Sequence, residues 1–286
     1  MAKSIFLCAI SNIASGSCHE DCGFCTQSVR WRADIERYKA KPIETIVAEA
    51  RAARSAGAVG FCLVTAGKGV NERTLAFVCE AARAVQAEEL GLKLIACNGT
   101  ASREQLREMK AAGINAYNHN LETSESFYPK ICTTHGWRER YETCENVNSE
   151  GLDLLCGGIF GLGESGADRE DFLQAVKSLQ PKTVPLNFFI TNPALPLQQP
   201  VMASDEALFW VRRAREVLGD KPRIMLAGGK EQAFGDRLME GLEAGANSLV
   251  VGNYLTTTGM DSRALHDRLK NAGYAVADTS ECKGEK

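Results

Sequence analysis

Residues 42–64, PIETIVAEARAARSAGAVGFCLV, contain one helical pattern and one strand pattern separated by a glycine. Apolar residues recur at helical spacing from Ile43 to Ala53, Pro42 suits the first helical turn, and Gly57 suits the position just after the last. The following run, residues 58–64, is apolar without strict alternation, as in a strand that is covered on both faces. This stretch therefore predicts a helix that leads into a strand of a parallel sheet.

The same alternation of short apolar runs and amphipathic runs extends along the chain. It predicts eight strands, at residues 4–10, 58–64, 92–97, 114–118, 152–159, 184–190, 223–227 and 248–251. Between and after them it predicts helices at residues 42–56, 102–112, 138–150, 168–179, 204–218, 236–244 and 262–272. Such a series of βα units predicts α/β architecture with a single (β/α)8 barrel of the TIM type, whose active site lies at the carboxyl ends of the strands.

Composition limits the possible classes of protein. The 286 residues are 44% hydrophobic and 24% charged, which is the balance of a soluble globular chain. We expect the barrel to occupy residues 1–277 and a polar, flexible tail to occupy residues 278–286. The net charge is −3 and the basic residues form no stripe, so nucleic acid is not an expected partner.

The amino terminus and the cysteine content suggest a compartment. Residues 1–10 resemble no signal peptide, and no run approaches the roughly 18 apolar residues that span a bilayer. We therefore expect a cytoplasmic protein without membrane contacts. In a reducing compartment, 11 cysteines favour metal binding or catalysis over disulfides.

A cysteine triplet follows the first predicted strand, in SCHEDCGFC at residues 17–25. Cys18, Cys22 and Cys25 have the spacing C-x3-C-x2-C. Three thiolates so close together can hold three irons of a [4Fe–4S] cluster and leave the fourth iron open to another ligand. The alternative is a purely structural metal site, which would have to recruit His19 or a distant cysteine as its fourth ligand.

The triplet, placed after the first strand of a βα barrel with Phe24 before its last cysteine, resembles the signature of the radical S-adenosylmethionine (SAM) superfamily. The resemblance implies that the amino and carboxylate groups of SAM occupy the open iron. It also implies that the reduced cluster cleaves SAM to methionine and a 5′-deoxyadenosyl radical. The protein would then position that radical and exclude water and oxygen.

A second motif, YNHNLET at residues 117–123, lies where the fourth strand meets its loop. Asn118, Asn120 and Glu122 alternate and so share one side of the strand. The run is similar to the YNHNLDT signature of the biotin synthase family, with Glu122 in place of the usual aspartate. Further matches to that family recur in order, at residues 133–134 with Arg140, 157–164, 184–187 and 245–248.

For the substrate, this resemblance implies dethiobiotin. Asn118 and Asn187 would bind its ureido ring, and Asn120 would contact both ligands. By the same resemblance, two deoxyadenosyl radicals in turn abstract hydrogen from carbon, and sulfur from an auxiliary cluster is inserted to give biotin.

For the cofactor, the resemblance implies contacts from Asn120, Glu122 and Arg140. Glu122 would hold the ribose of SAM, with a geometry shifted by its additional methylene. Gly158 and Ile159 lie in the glycine-rich segment that would let backbone approach the adenine.

The resemblance breaks at the second cluster. The family holds a [2Fe–2S] cluster on three strand cysteines and one arginine inside the barrel. When this sequence is matched to the family pattern through the flanking motifs, Cys62 is the only one of the four ligands that is retained. The other three ligand positions are occupied by Ile95, Leu155 and Met225. These three residues cannot replace thiolate and guanidinium as ligands without changing the site.

Nearby cysteines offer a relocated auxiliary cluster. Cys97 is two residues beyond Ile95 and points to the same side of its strand, whereas Cys156 has the opposite parity to its neighbour Leu155. We expect a cluster of the [2Fe–2S] type or a variant, held mainly by Cys62 and Cys97, with Cys8 or Cys156 joining. The alternative is that these cysteines are small buried hydrophobic residues.

The remaining cysteines are interpreted as incidental and without partners: Cys79, Cys132, Cys144 and Cys282. His119 is expected to order its loop instead of binding metal.

The sequence thus predicts a radical SAM sulfurtransferase that forms biotin, with flavodoxin or ferredoxin as electron donor. The family analogy implies a homodimer. Two alternatives are a radical SAM enzyme that does not insert sulfur and a non-catalytic metal-binding protein that uses the triplet structurally.

Overall fold

Parallel strands close into a barrel in the computed structural model, which describes residues 3–282. Every pairing of named strands is parallel, and pairing of the first strand with the ninth, Phe6 with Ser248, closes the ring. The strands are β1 Ser4–Ala14, β2 Gly60–Thr65, β3 Lys93–Cys97, β4 Ala116–Asn118, β5 Asp153–Leu155, β6 Gly158–Phe160, β7 Thr183–Phe188, β8 Arg223–Leu226, β9 Ser248–Val250 and β10 Ala275–Val276.

Helices follow the strands and cover the outside of the barrel. They are α1 Ile43–Ser55, α2 Glu72–Gln86, α3 Arg103–Ala111, α4 Trp137–Ser149, α5 Gly166–Leu179, α6 Ser204–Leu218, α7 Lys230–Phe234, α8 Leu238–Glu243 and α9 Ser262–Asn271. In α1 the buried residues are Ile46, Val47, Ala50 and Ala53, which belong to the apolar face expected from the sequence. The predicted (β/α)8 barrel is confirmed.

Two local predictions differ from the structure. Helix α2 was not predicted, although Asn71 caps it by accepting a hydrogen bond from the Thr74 amide at 2.9 Å. The predicted fifth strand is divided into β5 and β6, because the chain at Gly157 lies against β7. A Cβ atom at Gly157 would lie 1.8 Å from the carbonyl oxygen of Pro185, so only glycine fits there.

The buried apolar residues form two separate clusters, one inside the barrel and one between the barrel and its helices. The one inside the barrel contains sulfur as well as hydrocarbon, because Cys97 packs against a buried cluster of Cys8, Cys62, Val64, Ile95, Ala116, Leu155, Met225, Ala227 and Val250. Side chains on this face point toward the barrel axis, whereas their neighbours along each strand pack under the helices.

The end of the described chain is not wholly extended. Thr279–Cys282 form a 3-10 helix, and Asp278 forms an ion pair with Arg54 at 3.3 Å. The flexible tail expected at residues 278–286 stays a prediction, since residues 283–286 lie outside the described chain. Within residues 3–282, no helix is long and apolar enough to cross a membrane.

Candidate functional site

The cysteine triplet lies on the loop that continues β1 at the carboxyl end of the barrel. Backbone bonds fold this loop on itself: the Cys25 amide donates to the Cys22 carbonyl at 3.1 Å, and the Val29 amide donates to the Cys18 carbonyl at 2.8 Å. The three side chains are partly buried. Burial raises the pKa of Cys18 and raises the pKa of Cys25 to about 11, so binding of metal would release their protons.

A second loop, residues 131–136, clamps the first. The carboxylate of Asp21 accepts hydrogen bonds from the amides of Thr133 and Thr134 at 2.9 and 3.2 Å, and the Gly23 amide donates to the Ile131 carbonyl at 2.8 Å. Although burial opposes the shift, the hydrogen bonds from Thr133, Cys132 and Thr134 hold the pKa of Asp21 well below its usual range. Hydrogen bonds to loop 131–136 therefore hold residues 18–25 in position at the mouth of the barrel.

This clamp places Cys132 beside Cys22. Their Sγ atoms are 3.6 Å apart, and Nε2 of His135 is 3.5 Å from Sγ of Cys22. The hydrogen bond with Cys22, helped by His135 and Thr134, lowers the pKa of Cys132 to about 4 although burial opposes the shift. The prediction that Cys132 is without partners is wrong, because the contact joins residues 110 positions apart and no local pattern reveals it.

The row of polar residues that begins with Asn118, the last residue of β4, faces the same mouth. Asn118 donates from Nδ2 to Sγ of Cys97 at 3.3 Å, and Oδ1 of Asn120 accepts from the Gly157 amide at 3.2 Å. Glu122 has a left-handed backbone, with φ of 68°, and its Oε1 is 3.2 Å from Nη2 of Arg140. Among residues 3–282, Oδ1 of Asn118 and Oε2 of Glu122 are buried acceptors without a hydrogen-bond partner.

Arg140, Gly158 and Ile159 surround this row. Arg140 donates from Nε to the Asn120 carbonyl at 2.6 Å, and the Ile159 amide donates to the Glu122 carbonyl at 2.8 Å. A Cβ atom at Gly158 would lie 2.4 Å from that same carbonyl oxygen. Burial raises the pKa of Glu122, and the Arg140 guanidinium opposes that shift. The structure thus brings together all five residues that the resemblance assigns to the cofactor.

Asn187, near the end of β7, bonds to backbone on both sides. Its Nδ2 donates to the Gly158 carbonyl at 3.1 Å, and its Oδ1 accepts from the Gly228 amide at 2.9 Å. An amide side chain has two donors and two lone pairs, so one of each remains for a ligand.

Three of the predicted auxiliary cysteines face the barrel interior. Cys62 pairs in register with Ile95, and Cys97 pairs with Val64 one layer further up, as side-chain parity requires. The neighbouring thiol of Cys97 and burial raise the pKa of Cys62. The Cys62 thiol and the hydrogen bond from Asn118 lower the pKa of Cys97, although burial opposes that shift. Cys8 belongs to the same interior layer.

Cys156 points away from this layer. It is completely buried in the outer core, where its Sγ is 3.8 Å from Sγ of Cys144. Cys144 in turn donates to the His119 carbonyl at 3.2 Å, so the prediction that Cys144 lacks partners is also wrong. His119 is buried in its loop, and burial lowers its pKa well below the usual value. Of the two alternatives for a third auxiliary ligand, the geometry favours Cys8.

Comparisons with known proteins agree with this arrangement. A model of the Radical SAM superfamily matches residues 12–176, and a model of the Biotin and Thiamin Synthesis associated domain matches residues 185–275. Biotin synthase of Sulfurovum sp. (strain NBC37-1) is 58% identical over 279 residues, which cover 98% of each chain. The chain belongs to the biotin synthase family. The predicted family and the class of radical SAM sulfurtransferase are thereby confirmed.

Other members of the biotin synthase family are similar over the same length. Biotin synthase of Campylobacter jejuni subsp. jejuni serotype O:6 is 51% identical over 278 residues, covering 97% of this chain and 99% of its own. Membership implies a [4Fe–4S] cluster and SAM, and it removes the alternative of a non-catalytic metal-binding protein.

Solved structures show the same fold at low identity. Methylornithine synthase superposes with a TM-score of 0.82 at 19% identity, covering 98% of this chain and 86% of its own. The FeFe-hydrogenase maturase from Carboxydothermus hydrogenoformans gives a TM-score of 0.79 at 17% identity, covering 94% of this chain and 66% of its own.

One buried polar group near the site was not assigned a role from the sequence. Lys230, which begins α7 just after β8, is 1% exposed, and its Nζ lies 2.8 Å from Oε1 of Glu231. The hydroxyl of Tyr254 donates to Oε2 of Glu231 at 2.8 Å and also contacts Lys230. The sequence does contain an indication of this group, since Lys230 and Glu231 directly follow Gly228 and Gly229 at the end of a predicted strand. The group joins the loops after β8 and β9 of this biotin synthase family member.

Proposed function

We propose that the chain converts dethiobiotin to biotin at the carboxyl end of the barrel, with a [4Fe–4S] cluster on Cys18, Cys22 and Cys25. The proposal rests on this partly buried thiol loop and on two buried acceptors near it, Asn118 Oδ1 and Glu122 Oε2, which have no hydrogen-bond partner among residues 3–282. When bound, the cluster and SAM supply a 5′-deoxyadenosyl radical. Three soft thiolates are the donor set that an iron–sulfur cluster requires, so the residues fit the group.

Glu122 and Arg140 would bind and orient SAM. Oε2 of Glu122, which has no hydrogen-bond partner in the described part of the chain, would accept a ribose hydroxyl, while Oε1 is held by Arg140 at 3.2 Å. Since Arg140 also donates to the Asn120 carbonyl, it fixes Asn120 and Glu122 relative to each other. The bare backbone of Gly158 and the adjoining Ile159 give a planar adenine a surface that a side chain at residue 158 would block.

Asn118 and Asn187 would hold the ureido ring of dethiobiotin. A ureido group offers two N–H donors and one carbonyl acceptor, which complement primary amides. Oδ1 of Asn118 lacks a partner within the described residues, and Asn187 keeps one donor and one lone pair. Two amides fixed by backbone or thiol contacts would place the substrate carbons toward the cysteine loop.

Cys62, Cys97 and Cys8 would hold the auxiliary iron–sulfur cluster, of the [2Fe–2S] type or a variant, which supplies the inserted sulfur. The support is that their side chains belong to one interior layer, with Cys62 and Cys97 on the neighbouring strands β2 and β3. Ile95 and Leu155, which replace the other strand cysteines of the family, offer no donor atom.

Reduction of the first cluster requires an external donor, for which we propose flavodoxin or ferredoxin. The thiols of the triplet must stay reduced, which favours the cytoplasm. The family analogy favours a homodimer.

Anaerobic reconstitution with iron and sulfide, followed by Mössbauer spectroscopy and assays of 5′-deoxyadenosine and biotin, tests this proposal. Cys18→Ala should lose 5′-deoxyadenosine formation. Cys97→Ala should keep it but lose the auxiliary iron and most biotin. Cys156→Ala is the matched control, since it removes a buried cysteine of the outer core, and it should retain both clusters. Full iron content and normal biotin yield in Cys97→Ala would show that the sulfur source is elsewhere.

A further inference from the structure

Loop 131–136 places metal-binding atoms against Cys22 that the proposed reaction does not use. Sγ of Cys22 is 3.6 Å from Sγ of Cys132 and 3.5 Å from Nε2 of His135. All three ligand atoms lie within 4.8 Å of one another. Two thiolates on one tetrahedral zinc ion are about 3.8 Å apart, and a thiolate and an imidazole nitrogen are about 3.6 Å apart, from the usual bond lengths. The existing spacing therefore already suits a single ion.

The orientation of His135 also suits an ion. Its Nδ1 is 3.0 Å from the hydroxyl of Tyr128, a residue that is 1% exposed. This contact is satisfied when Nδ1–H donates to the hydroxyl, and that tautomer leaves the Nε2 lone pair toward the thiols. Histidine ligands of metals are commonly fixed in this way through their second nitrogen.

A fourth donor lies at the edge of the group. Oε2 of Glu20 is 4.0 Å from Nε2 of His135. It is buried and has no hydrogen-bond partner among residues 3–282. A small rotation of this side chain would complete a tetrahedron of two sulfurs, one nitrogen and one oxygen. A buried carboxylate oxygen without a partner is costly, and a cation would remove that cost.

We propose that, before its cluster is assembled, the chain binds one thiophilic divalent cation, such as Zn²⁺ or Fe²⁺, through Cys22, Cys132, His135 and Glu20. No electron transfer is involved, and the thiols release their protons as the ion binds. Because Cys22 can serve only one of two sites, occupancy of this site excludes the [4Fe–4S] cluster. The exclusion rests on the proposed role of Cys22 as a cluster ligand, whereas the binding itself does not.

Titration of the cluster-free, full-length chain with Co²⁺ under anaerobic conditions tests the site, because cobalt bound to thiolate absorbs visible light. We expect one Co²⁺ per chain. Cys132→Ala and His135→Ala should lose the absorption, and Tyr128→Phe should bind about 10- to 100-fold more weakly, as is typical when the group that orients a ligand is removed. Cys144→Ala, which removes another buried cysteine, should bind as the parent does. Circular dichroism on each variant verifies the fold.

Two further variants separate this site from the triplet alone. Cys18→Ala and Cys25→Ala should retain the cobalt spectrum, since neither residue belongs to the group. Loss of binding in Cys18→Ala together with normal binding in folded Cys132→Ala would overturn the assignment. Normal binding in both Cys132→Ala and His135→Ala would place the ion elsewhere and also refute it.

Competition tests the exclusion. Chains with and without bound Zn²⁺ are compared for the rate at which they take up a [4Fe–4S] cluster, which is measured by the absorption of the cluster. We expect Zn²⁺ to slow uptake in the parent chain and to have no effect in Cys132→Ala. Equal rates with and without Zn²⁺ in the parent would refute the exclusion. Failure of biotin formation with an intact cobalt site would count against the proposed function and not against this site.

Discussion

Replacing Asn187 by alanine should damage both the rim of the barrel and its ligand site. The side chain joins two backbone segments, through Nδ2 to the Gly158 carbonyl at 3.1 Å and through Oδ1 to the Gly228 amide at 2.9 Å. Alanine removes both side-chain bonds and takes from the partly buried Gly228 amide the acceptor that it has here. At about 1 kcal/mol for each bond, the free energy of unfolding should fall by about 2 kcal/mol.

The same change should weaken substrate binding. If the remaining donor and lone pair of Asn187 meet the ureido ring, their loss should cost about 1–3 kcal/mol of binding free energy. The dissociation constant for dethiobiotin would then rise about 5- to 150-fold, while that for SAM without substrate changes little. Anaerobic calorimetry measures the affinities, and unfolding in urea measures the stability.

Asn148→Ala provides a matched control. Its Nδ2 donates to the Leu179 carbonyl at 2.8 Å on the helical side of the fold, away from the mouth. We expect about 1 kcal/mol of lost stability and an unchanged affinity for dethiobiotin. If Asn187→Ala loses stability but binds dethiobiotin as the parent does, Asn187 only supports the backbone and the argument for its substrate role fails.

Two more predictions follow from contacts near the site. Gly158→Ala would place a Cβ atom 2.4 Å from the Glu122 carbonyl oxygen. Unfolding in urea should then show a loss of about 1–3 kcal/mol of stability, and calorimetry should show a weaker affinity for SAM. Gly166→Ala, whose Cβ atom would have its nearest neighbour 3.8 Å away, should change neither the stability nor the affinity for SAM. Hydrogen bonds from Ser165 lower the pKa of Asp168 from 3.8 to about 2, so the stability they provide is present above pH 4 and is lost as the pH falls toward 2. In Asp168→Asn, the free energy of unfolding in urea should change less with pH between about pH 4 and pH 2 than in the parent. An unchanged slope in that range would refute the role of the Ser165–Asp168 hydrogen bonds.

The features that local spacing determines could be predicted from the sequence. The apolar face of α1 and the cysteine triplet each depend on residues a few positions apart, so the barrel and the position of the triplet after its first strand could be predicted from local patterns. Parity along β3 also placed Cys97 on the same face as Ile95, and the register agrees.

Features that depend on contacts between distant segments could not be predicted. Cys132 meets Cys22 because the Asp21 carboxylate holds the second loop, and nothing near Cys132 in the sequence indicates that partner. The division between β5 and β6 arises from the close approach of Gly157 to Pro185. The left-handed backbone of Glu122 likewise depends on its surroundings, since glutamate rarely adopts it alone.

Closure of the barrel by β1 and β9 has a consequence for synthesis of the chain. The hydroxyl of Ser248 donates to the Phe6 carbonyl across 242 residues of sequence. The strand that supports the cysteine loop thus obtains its neighbour β9 only after the chain through Val250 has left the ribosome. Contacts of such long range slow folding. Stable assembly of iron on that loop should therefore follow translation, and nascent chains truncated before β9 should not retain it.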